Sequence, residues 1–194
     1  MPSICFVTTL PLTFTAFVEP FANHLQSNGW EVTLVCAWDK DFSAQLNSTI
    51  RYVPIPLSRG CSCLGTLMSI IRLGVFFRQQ RFDIVQYSTP NAAFCAALAA
   101  RLAGQPVRVY AQWGLRYTGF SGIPRIIFKM LEKLTCRCSS VIRPDSMENL
   151  EFALGEGLYS AQKAKVIGHG SSRGVDLTKF DIQKKQQWRQ ECRQ

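Results

Sequence analysis

The sequence contains no apolar run long enough to cross a membrane and no recognisable leader. Its longest apolar stretch, residues 64–77, is interrupted by Arg72, whereas a transmembrane helix needs about 20 apolar residues. The first three residues carry no basic side chain, and the apolar segment 4–7 is too short for the core of a signal peptide. We therefore expect no membrane span, no secretion signal and a cytoplasmic location.

The cysteine spacings of common zinc sites are also lacking. Two pairs have the C-x-C spacing, Cys61 with Cys63 and Cys136 with Cys138, whereas zinc ligands are usually spaced C-x2-C or wider. A metal site would require the two pairs to meet in space. Without a secretion signal a disulfide framework is not expected either. We predict free thiols and no metal.

Three further sequence patterns are lacking, and each absence disfavours one class of function. No G-x-G-x-x-G follows the first apolar segment, which disfavours a dinucleotide-binding module. No pair of carboxylates has the pattern of an acid/base dyad. The formal charge is +9, but the basic residues are not interleaved with aromatic residues as in RNA-binding modules, so we expect no nucleic-acid partner. Positive charge is also attracted to the anionic cytoplasmic leaflet of a membrane.

Short apolar segments alternate with helical patterns along the chain. The predicted strands are 3–8, 31–36, 51–57, 82–87, 107–111, 140–143 and 165–167, and the predicted helices are 17–28, 64–80, 91–103, 123–138 and 146–154. This alternation indicates an α/β domain, a Rossmann-like parallel sheet with helices on both faces. Ligands of such domains bind at the carboxyl ends of the strands.

Five segments in a fixed order carry a family resemblance: residues 53–60, 81–90, 99–107, 146–150 and 168–180. They resemble the N-terminal domain of family-4-like glycosyltransferases of the capsule and exopolysaccharide type. The last segment is similar to the run with which that domain passes into the second one. The resemblance implies a GT-B enzyme of two Rossmann-like domains that retains anomeric configuration and needs no metal.

The resemblance also implies a function and a domain boundary. Residues 1–180 would be a single GT-B N-terminal domain, and the polar residues 181–194 a linker or the start of a missing donor-binding domain. The chain would be the acceptor-side half of an enzyme of polysaccharide or glycoconjugate biosynthesis, with a nucleotide-sugar as co-substrate, no cofactor and a lipid-linked sugar acceptor. The alternative is a non-catalytic acceptor-binding or docking subunit that needs a partner chain carrying the donor domain.

The chain departs from the family pattern where the family places histidines. Trp113 stands at one such position, and Gln86 and Ser88 stand at two others. The loop that follows the first strand also has no glycine, so phosphate cannot approach its backbone as closely. Catalytic residues are therefore left unassigned.

Polar and aromatic residues follow two neighbouring predicted strands, where an acceptor is expected to bind. The predicted acceptor-binding residues are Ser88, Asn91, Gln112, Trp113, Arg116 and Tyr117. An aromatic face suits a sugar ring, and Arg116 can pair with a phosphate. The alternative is that Trp113 and Tyr117 close the core beneath the loop.

The glycine-rich run 168–174 supplies candidate contacts on the donor side or between domains. These candidates are His169, Gly170, Ser171 and Arg173. In an intact enzyme His169 would reach a donor phosphate or act as a structural hydrogen-bonding group.

The helix predicted over residues 123–138 has a basic stripe with a four-residue period. The stripe consists of Arg125, Lys129, Lys133 and Arg137, and isoleucine, leucine and methionine form the other side. We expect the apolar side to pack on the sheet and the stripe to be solvated or to face an anionic membrane, which would make the protein peripheral on the inner leaflet.

Overall fold

Six short apolar strands pair into one sheet in the computed structural model, which describes residues 1–57, 62–174, 177 and 181–192. The strands are β1 (Ser3–Val7), β2 (Glu31–Cys36), β3 (Arg51–Pro54), β4 (Ile84–Tyr87), β5 (Val107–Gln112) and β6 (Val141–Pro144). Their order is β3-β2-β1-β4-β5-β6, and every neighbouring pair is parallel. The predicted parallel sheet is confirmed, with the proline-containing β3 at its edge.

Eight α-helices occur within the described residues. They are α1 (Pro11–Phe17), α2 (Glu19–Ser27), α3 (Lys40–Gln45), α4 (Cys63–Gln79), α5 (Pro90–Leu102), α6 (Gly122–Cys138), α7 (Met147–Gly155) and α8 (Lys185–Glu191). In the described part of the chain, no helix is both long enough and apolar enough to cross a membrane.

Alternate residues of each strand point to opposite faces of the sheet and so build two cores. On one face Tyr87 and Tyr110 pack with α4, α5 and α6. On the other face Phe6 packs with Phe14 of α1 and Ala22 of α2. Helices on both faces confirm the predicted Rossmann-like architecture.

Helix α5 lies between α4 and α6 and is built largely from alanine. Its buried residues are Ala92, Ala93, Cys95, Ala96, Ala97, Ala99 and Ala100. Because these side chains are short, α5 packs closely on the sheet and forms a recessed floor between its two neighbours.

Two local predictions were wrong, and one helix was not predicted. The segment predicted as a loop after β1 forms α1, with Pro11 at the first helical position, where the missing N–H of proline costs nothing. Helix α3 was not predicted; the side chain of Asp39 accepts a hydrogen bond from the Phe42 amide and caps it. The predicted strand 165–167 is absent, since only an isolated bridge joins Ala164 to Ile142.

The glycines of the 168–174 run explain why that last segment does not continue as a strand. Gly168 and Gly170 have φ values of +58° and +85°, which turn the backbone away from an extended path. Most of the second half of the 168–180 segment and the predicted domain boundary at residue 180 lie outside the described residues.

Candidate functional site

Two cavities open near the carboxyl ends of the strands, the edge at which parallel sheets bind ligands. The larger one lies on the α4–α5–α6 side. The smaller one lies where Phe17 and Phe21 of α1 and α2 approach Gln86 of β4 and Arg143 of β6. Gln86 is paired in register with Phe6, which places it on the α1–α2 face of the sheet.

The larger cavity, here called the α4–α6 groove, has a volume of about 660 Å³. Helix α5 forms its floor and the facing sides of α4 and α6 form its walls. The apolar residues that line it are Leu67, Ile70, Phe94, Ile127, Phe128 and Leu131. A groove of this size and composition suits an apolar chain of drug-like size or larger.

Arg116 is a positively charged group that lines this groove, next to the start of α5. Its Nη1 donates a hydrogen bond of 2.9 Å to Asn91 Oδ1. Its guanidinium carbon lies 4.4 Å from the ring centroid of Phe128, a cation–π contact. Among the described residues, Arg116 forms no ion pair with a carboxylate. A cation at the edge of an apolar groove that forms no ion pair within the described residues favours an anionic amphiphile.

A buried carboxylate, Glu132 of α6, lies in the wall of the groove and organises the end of β5. Glu132 Oε1 accepts hydrogen bonds from Tyr110 Oη (2.9 Å) and Gln112 Nε2 (2.8 Å). Tyr159 Oη donates to Gln112 Oε1 (2.8 Å). Burial raises the pKa of Glu132 above its ordinary value, and the two donated hydrogen bonds oppose that shift. Glu132 was not among the residues predicted from the sequence. The available signal was its position as an acidic residue on the helix that carries the basic stripe.

The six predicted acceptor-binding residues do not form one cluster. Asn91 and Arg116 line the α4–α6 groove together. Gln112 and Tyr117 are fully buried and Ser88 nearly so. Both ends of the Gln112 side-chain amide are hydrogen-bonded within the protein, so this residue fixes the loop that carries Arg116.

Trp113 lies on the other side of the sheet from Arg116. Its ring packs against Phe17 with a centroid distance of 5.0 Å, and it borders the α1–α2 core. Its indole Nε1 is buried and has no hydrogen-bond partner among the described residues. Trp113 is thus placed beside the smaller cavity.

The smaller cavity has a volume of about 290 Å³. Three of the four predicted donor-side residues, Gly170, Ser171 and Arg173, line it, whereas His169 is exposed and does not. Arg173 Nη1 donates a 2.9 Å hydrogen bond to Ala16 O, which ties the loop to the end of α1. The loop is therefore held against the α1–α2 face.

Gly170 allows this loop to pack closely on the segment that follows β6. A Cβ atom at this position would lie 2.5 Å from the backbone oxygen of Asp145, and φ is +85°. Any other residue would both clash and be strained. Gly170 therefore permits a close approach of the loop to the protein's own backbone.

Helix α6 is oriented differently from the prediction. Its apolar residues Ile123, Ile126, Ile127, Met130 and Leu134 are exposed, Ile123 by 73% and Met130 by 67%. The inner side is formed by Glu132, Thr135 and Cys136, which meet α5 and β5. The expectation that the apolar side packs on the sheet was wrong, because small and hydrogen-bonded residues occupy that contact.

The basic stripe of α6 divides into two halves. Lys129 Nζ lies 2.8 Å and Arg125 Nη2 lies 3.8 Å from Glu156 Oε2. The hydrogen bond from Lys129 lowers the pKa of Glu156. Lys133 and Arg137 are exposed. Only the second half of the stripe is therefore free of a carboxylate partner within the described residues.

Helix α4 also exposes large apolar side chains. They are Leu64, Leu67, Met68, Ile71 and Val75. Leu67 and Ile127 each line the groove and are half exposed, so the exposed rows of α4 and α6 flank it. We call these two rows the α4–α6 apolar face. Contiguous apolar surfaces of this kind mark interaction sites.

The cysteines that the structure describes do not form a metal site. Cys136 and Cys138 are buried, and burial raises the pKa of both thiols. Cys63 is exposed at the start of α4, and Cys61 lies outside the described residues. Within those residues, no group of three or more metal-ligating side chains occurs.

Comparison with known proteins decides the family. A sequence model described as "Glycosyl transferase 4-like" matches residues 3–145. The chain belongs to the glycosyl transferase 4-like family. This glycosyl transferase 4-like chain is 27% identical over 158 residues to the capsular polysaccharide biosynthesis glycosyltransferase CapM of Staphylococcus aureus, covering 81% of this chain and 41% of CapM.

A second sequence relative supports the assignment, and a solved structure supports the fold. The chain is 25% identical over 158 residues to the Escherichia coli UDP-Gal:alpha-D-GlcNAc-diphosphoundecaprenol alpha-1,3-galactosyltransferase, covering 80% of this chain and 40% of that enzyme. A glycosyltransferase structure from Rickettsia africae superimposes with a TM-score of 0.66 at 17% identity, covering 93% of this chain and 45% of that one. The chain thus spans about 40% of the length of these two sequence relatives.

Proposed function

We propose that this chain is the acceptor-side part of a hexosyl- or N-acetylhexosaminyl-type glycosyltransferase of polysaccharide or glycoconjugate biosynthesis. The enzyme would transfer a sugar from a nucleotide-sugar to a lipid-linked acceptor, with no further cofactor. Membership of the glycosyl transferase 4-like family and the two glycosyltransferase relatives support this proposal. One of those relatives is named for a diphosphoundecaprenol acceptor.

The observation that carries the proposal is the α4–α6 groove with Arg116 on its lining. A lipid-linked sugar is an apolar chain joined through a diphosphate to a sugar. The groove provides apolar walls for the chain, and the guanidinium of Arg116 provides a partner for the phosphate. Both lie near the carboxyl ends of β4 and β5, where the sugar would face a donor.

The α4–α6 apolar face supports attachment to an anionic membrane beside the groove. Its exposed isoleucine, leucine and methionine side chains would enter the interfacial region of the bilayer. Lys133 and Arg137, exposed on the same helix, would meet anionic headgroups. A lipid-linked acceptor would then pass from the leaflet into the groove without crossing water.

The acceptor proposal is tested by binding of farnesyl diphosphate, a short lipid diphosphate, to the 194-residue chain. Arg116→Gln should weaken binding about ten- to hundred-fold, because a charged hydrogen bond contributes roughly 1.5–3 kcal/mol. Binding of farnesol, which lacks the diphosphate, should not change. Arg78→Gln, at an exposed position of α4, is the control. Equal farnesyl diphosphate affinity in Arg116→Gln and the parent chain would contradict the proposal.

A second candidate function is a non-catalytic acceptor-binding subunit that works with a partner chain. The absence of histidine at positions 86, 88 and 113 favours it. We expect the purified chain to bind acceptor but to transfer no sugar until a donor-binding domain is supplied. Activity restored only by a separate donor-domain chain would support the subunit, and measurable transfer by the 194-residue chain alone would refute both expectations.

A further inference from the structure

We propose that Arg143 and Arg173 form a binding subsite for a phosphate or diphosphate group in the 290 Å³ cavity between the start of α2 and the 168–174 loop. This subsite is separate from the α4–α6 groove and does not depend on sugar transfer by this chain. Arg143 was not among the predicted site residues.

Positive charge collects in the cavity, and within the part of the chain that the structure describes no carboxylate lines it. Arg143 enters the cavity from the carboxyl end of β6, and Arg173 enters it from the loop. Among the described residues, the side chain of Arg143 has no hydrogen bond and no ion pair. Its guanidinium is nevertheless only partly exposed, and burial lowers its pKa.

A partly buried guanidinium without a partner is unfavourable for the free protein. Buried charges in folded proteins are normally paired or hydrogen-bonded, because desolvation of an ion is costly. The same chain follows this rule on α6, where Lys129 lies 2.8 Å from Glu156. We infer that the counter-charge of Arg143 is supplied by a ligand.

The shape of the cavity selects a small anion or the anionic part of a larger ligand. Its volume lies at the lower end of the range for ligand pockets. The planar fork of a guanidinium matches two oxygens of one phosphate group. Arg173 donates one of its N–H groups to Ala16 O, and its remaining N–H groups are available to a ligand. Ser172 adds a hydroxyl to the lining.

Binding of inorganic pyrophosphate to the 194-residue chain tests the subsite directly. Arg143→Gln should weaken it about ten- to hundred-fold, the loss expected for charged hydrogen bonds. Without pyrophosphate, the melting temperature of Arg143→Gln should equal or exceed that of the parent, because an unpaired, partly buried charge has been removed. Arg173→Gln should also weaken binding, and Arg78→Gln on α4 should leave it unchanged.

Two further ligands identify the source of the phosphate. Loss of UDP affinity in Arg143→Gln with unchanged farnesyl diphosphate affinity would assign the subsite to the nucleotide, and the reverse would assign it to the lipid diphosphate. Arg143→Lys, which keeps the charge but loses the fork, should fold and bind pyrophosphate more weakly than the parent. Unchanged pyrophosphate affinity in Arg143→Lys and Arg143→Gln, or a lowered melting temperature with unchanged affinity, would overturn the proposal.

Discussion

The two cavities at the carboxyl edge of the sheet differ in almost every physical property. The α4–α6 groove is mostly apolar, and the guanidinium of Arg116, which lines it, donates a hydrogen bond to Asn91 and packs on the ring of Phe128. The cavity beside the 168–174 loop has less than half that volume and contains two guanidinium groups, of which Arg143 has no partner in the described residues. The first suits a hydrocarbon chain with an anionic head, and the second suits the anionic group alone.

This difference follows from the elements that build each cavity. Three helices build the groove, and α5, whose alanines are buried, presents Asn91, Phe94 and Cys95 to it. A strand end, the glycine-rich loop and the aromatic rings of Phe17 and Phe21 enclose the smaller cavity. The same sheet edge thereby offers two kinds of subsite on its two faces.

Replacing Gly170 should remove the smaller cavity and leave the groove intact, and it is the largest effect we expect. In Gly170→Ala the new methyl group would clash with Asp145 O, so the loop must move. Pyrophosphate binding should be lost, and the free energy of unfolding should fall by roughly 1–3 kcal/mol from backbone strain and the clash. Calorimetric titration and urea unfolding measure the two quantities.

Gly168→Ala is the matched control for that substitution. Gly168 also has a positive φ, of +58°, but no atom lies within 4 Å of its hypothetical Cβ. It should therefore lose stability through strain alone and keep most of its pyrophosphate affinity. Farnesol binding should be normal in both variants. Similar pyrophosphate affinity in the two variants would show that the position of the loop does not define the subsite.

Substitutions on the α4–α6 apolar face test whether a membrane binds only the face of the sheet that carries the groove. Ile126→Glu with Met130→Glu should reduce binding to anionic vesicles about tenfold per residue, since an apolar side chain contributes roughly 1.5–3 kcal/mol when fully buried. The double substitution Lys133→Glu with Arg137→Glu should reduce vesicle binding less, because each basic residue contributes ~1 kcal/mol. This reduction should become smaller as the salt concentration rises. Vesicle cosedimentation measures both.

Two controls separate membrane contact from other effects. Leu12→Glu, at an exposed apolar position of α1 on the opposite face of the sheet, should leave vesicle binding unchanged. Lys129→Gln should lower stability slightly rather than release the protein, because Lys129 pairs with Glu156. Vesicle binding that survives all substitutions on α6 would argue against a membrane role for this face.

The smallest expected effect concerns Glu132 in the groove wall. Its raised pKa means that the unfolded carboxyl loses its proton at lower pH than the folded one. Its contribution to stability is therefore fully present below the ordinary value of 4.5 and is lost as pH rises through the raised folded pKa, by about 1.4 kcal/mol per unit of difference. Glu132→Gln should lack this decline and keep an acceptor for Tyr110.

Urea unfolding of the parent chain and Glu132→Gln between pH 4 and about pH 8 measures that difference. Glu151→Gln, an exposed position of α7, should retain the pH dependence of the parent. Parallel stability curves for Glu132→Gln and the parent would show that burial of this carboxyl does not affect folding.

Local sequence pattern predicted most strands and helices, because their formation depends on residues that are close together in the chain. Apolar segments identified β1 and β2, and the helix predicted over residues 91–103 matches α5 within one residue at each end. The same pattern placed Asn91 and Arg116 at the sheet edge, where the structure brings them together. Helices α1 and α3 were not predicted, because their six or seven residues are too few for a clear helical period.

The orientation of α6 could not be predicted from its sequence pattern. An amphipathic helix has two faces, and its sequence does not say which face meets the sheet. Here Glu132 finds two hydrogen-bond donors on β5, and Cys136 fits against the first core, so the apolar side turns outward. Only the neighbouring strand and helix decide that outcome.

Residue pattern therefore predicted a parallel α/β domain with its crevice at the carboxyl ends of the strands, and the resemblance of five segments to a known family indicated the glycosyltransferase type. Tertiary contacts decided which residues share a cavity. Arg116 lines the apolar groove, whereas Trp113 lies on the opposite face of the sheet. Arg143 lines the smaller cavity together with the 168–174 loop. Secondary structure depends on interactions between neighbours in the chain, which a sequence displays directly. A binding site depends on which distant segments meet and on which charges remain unpaired when they do.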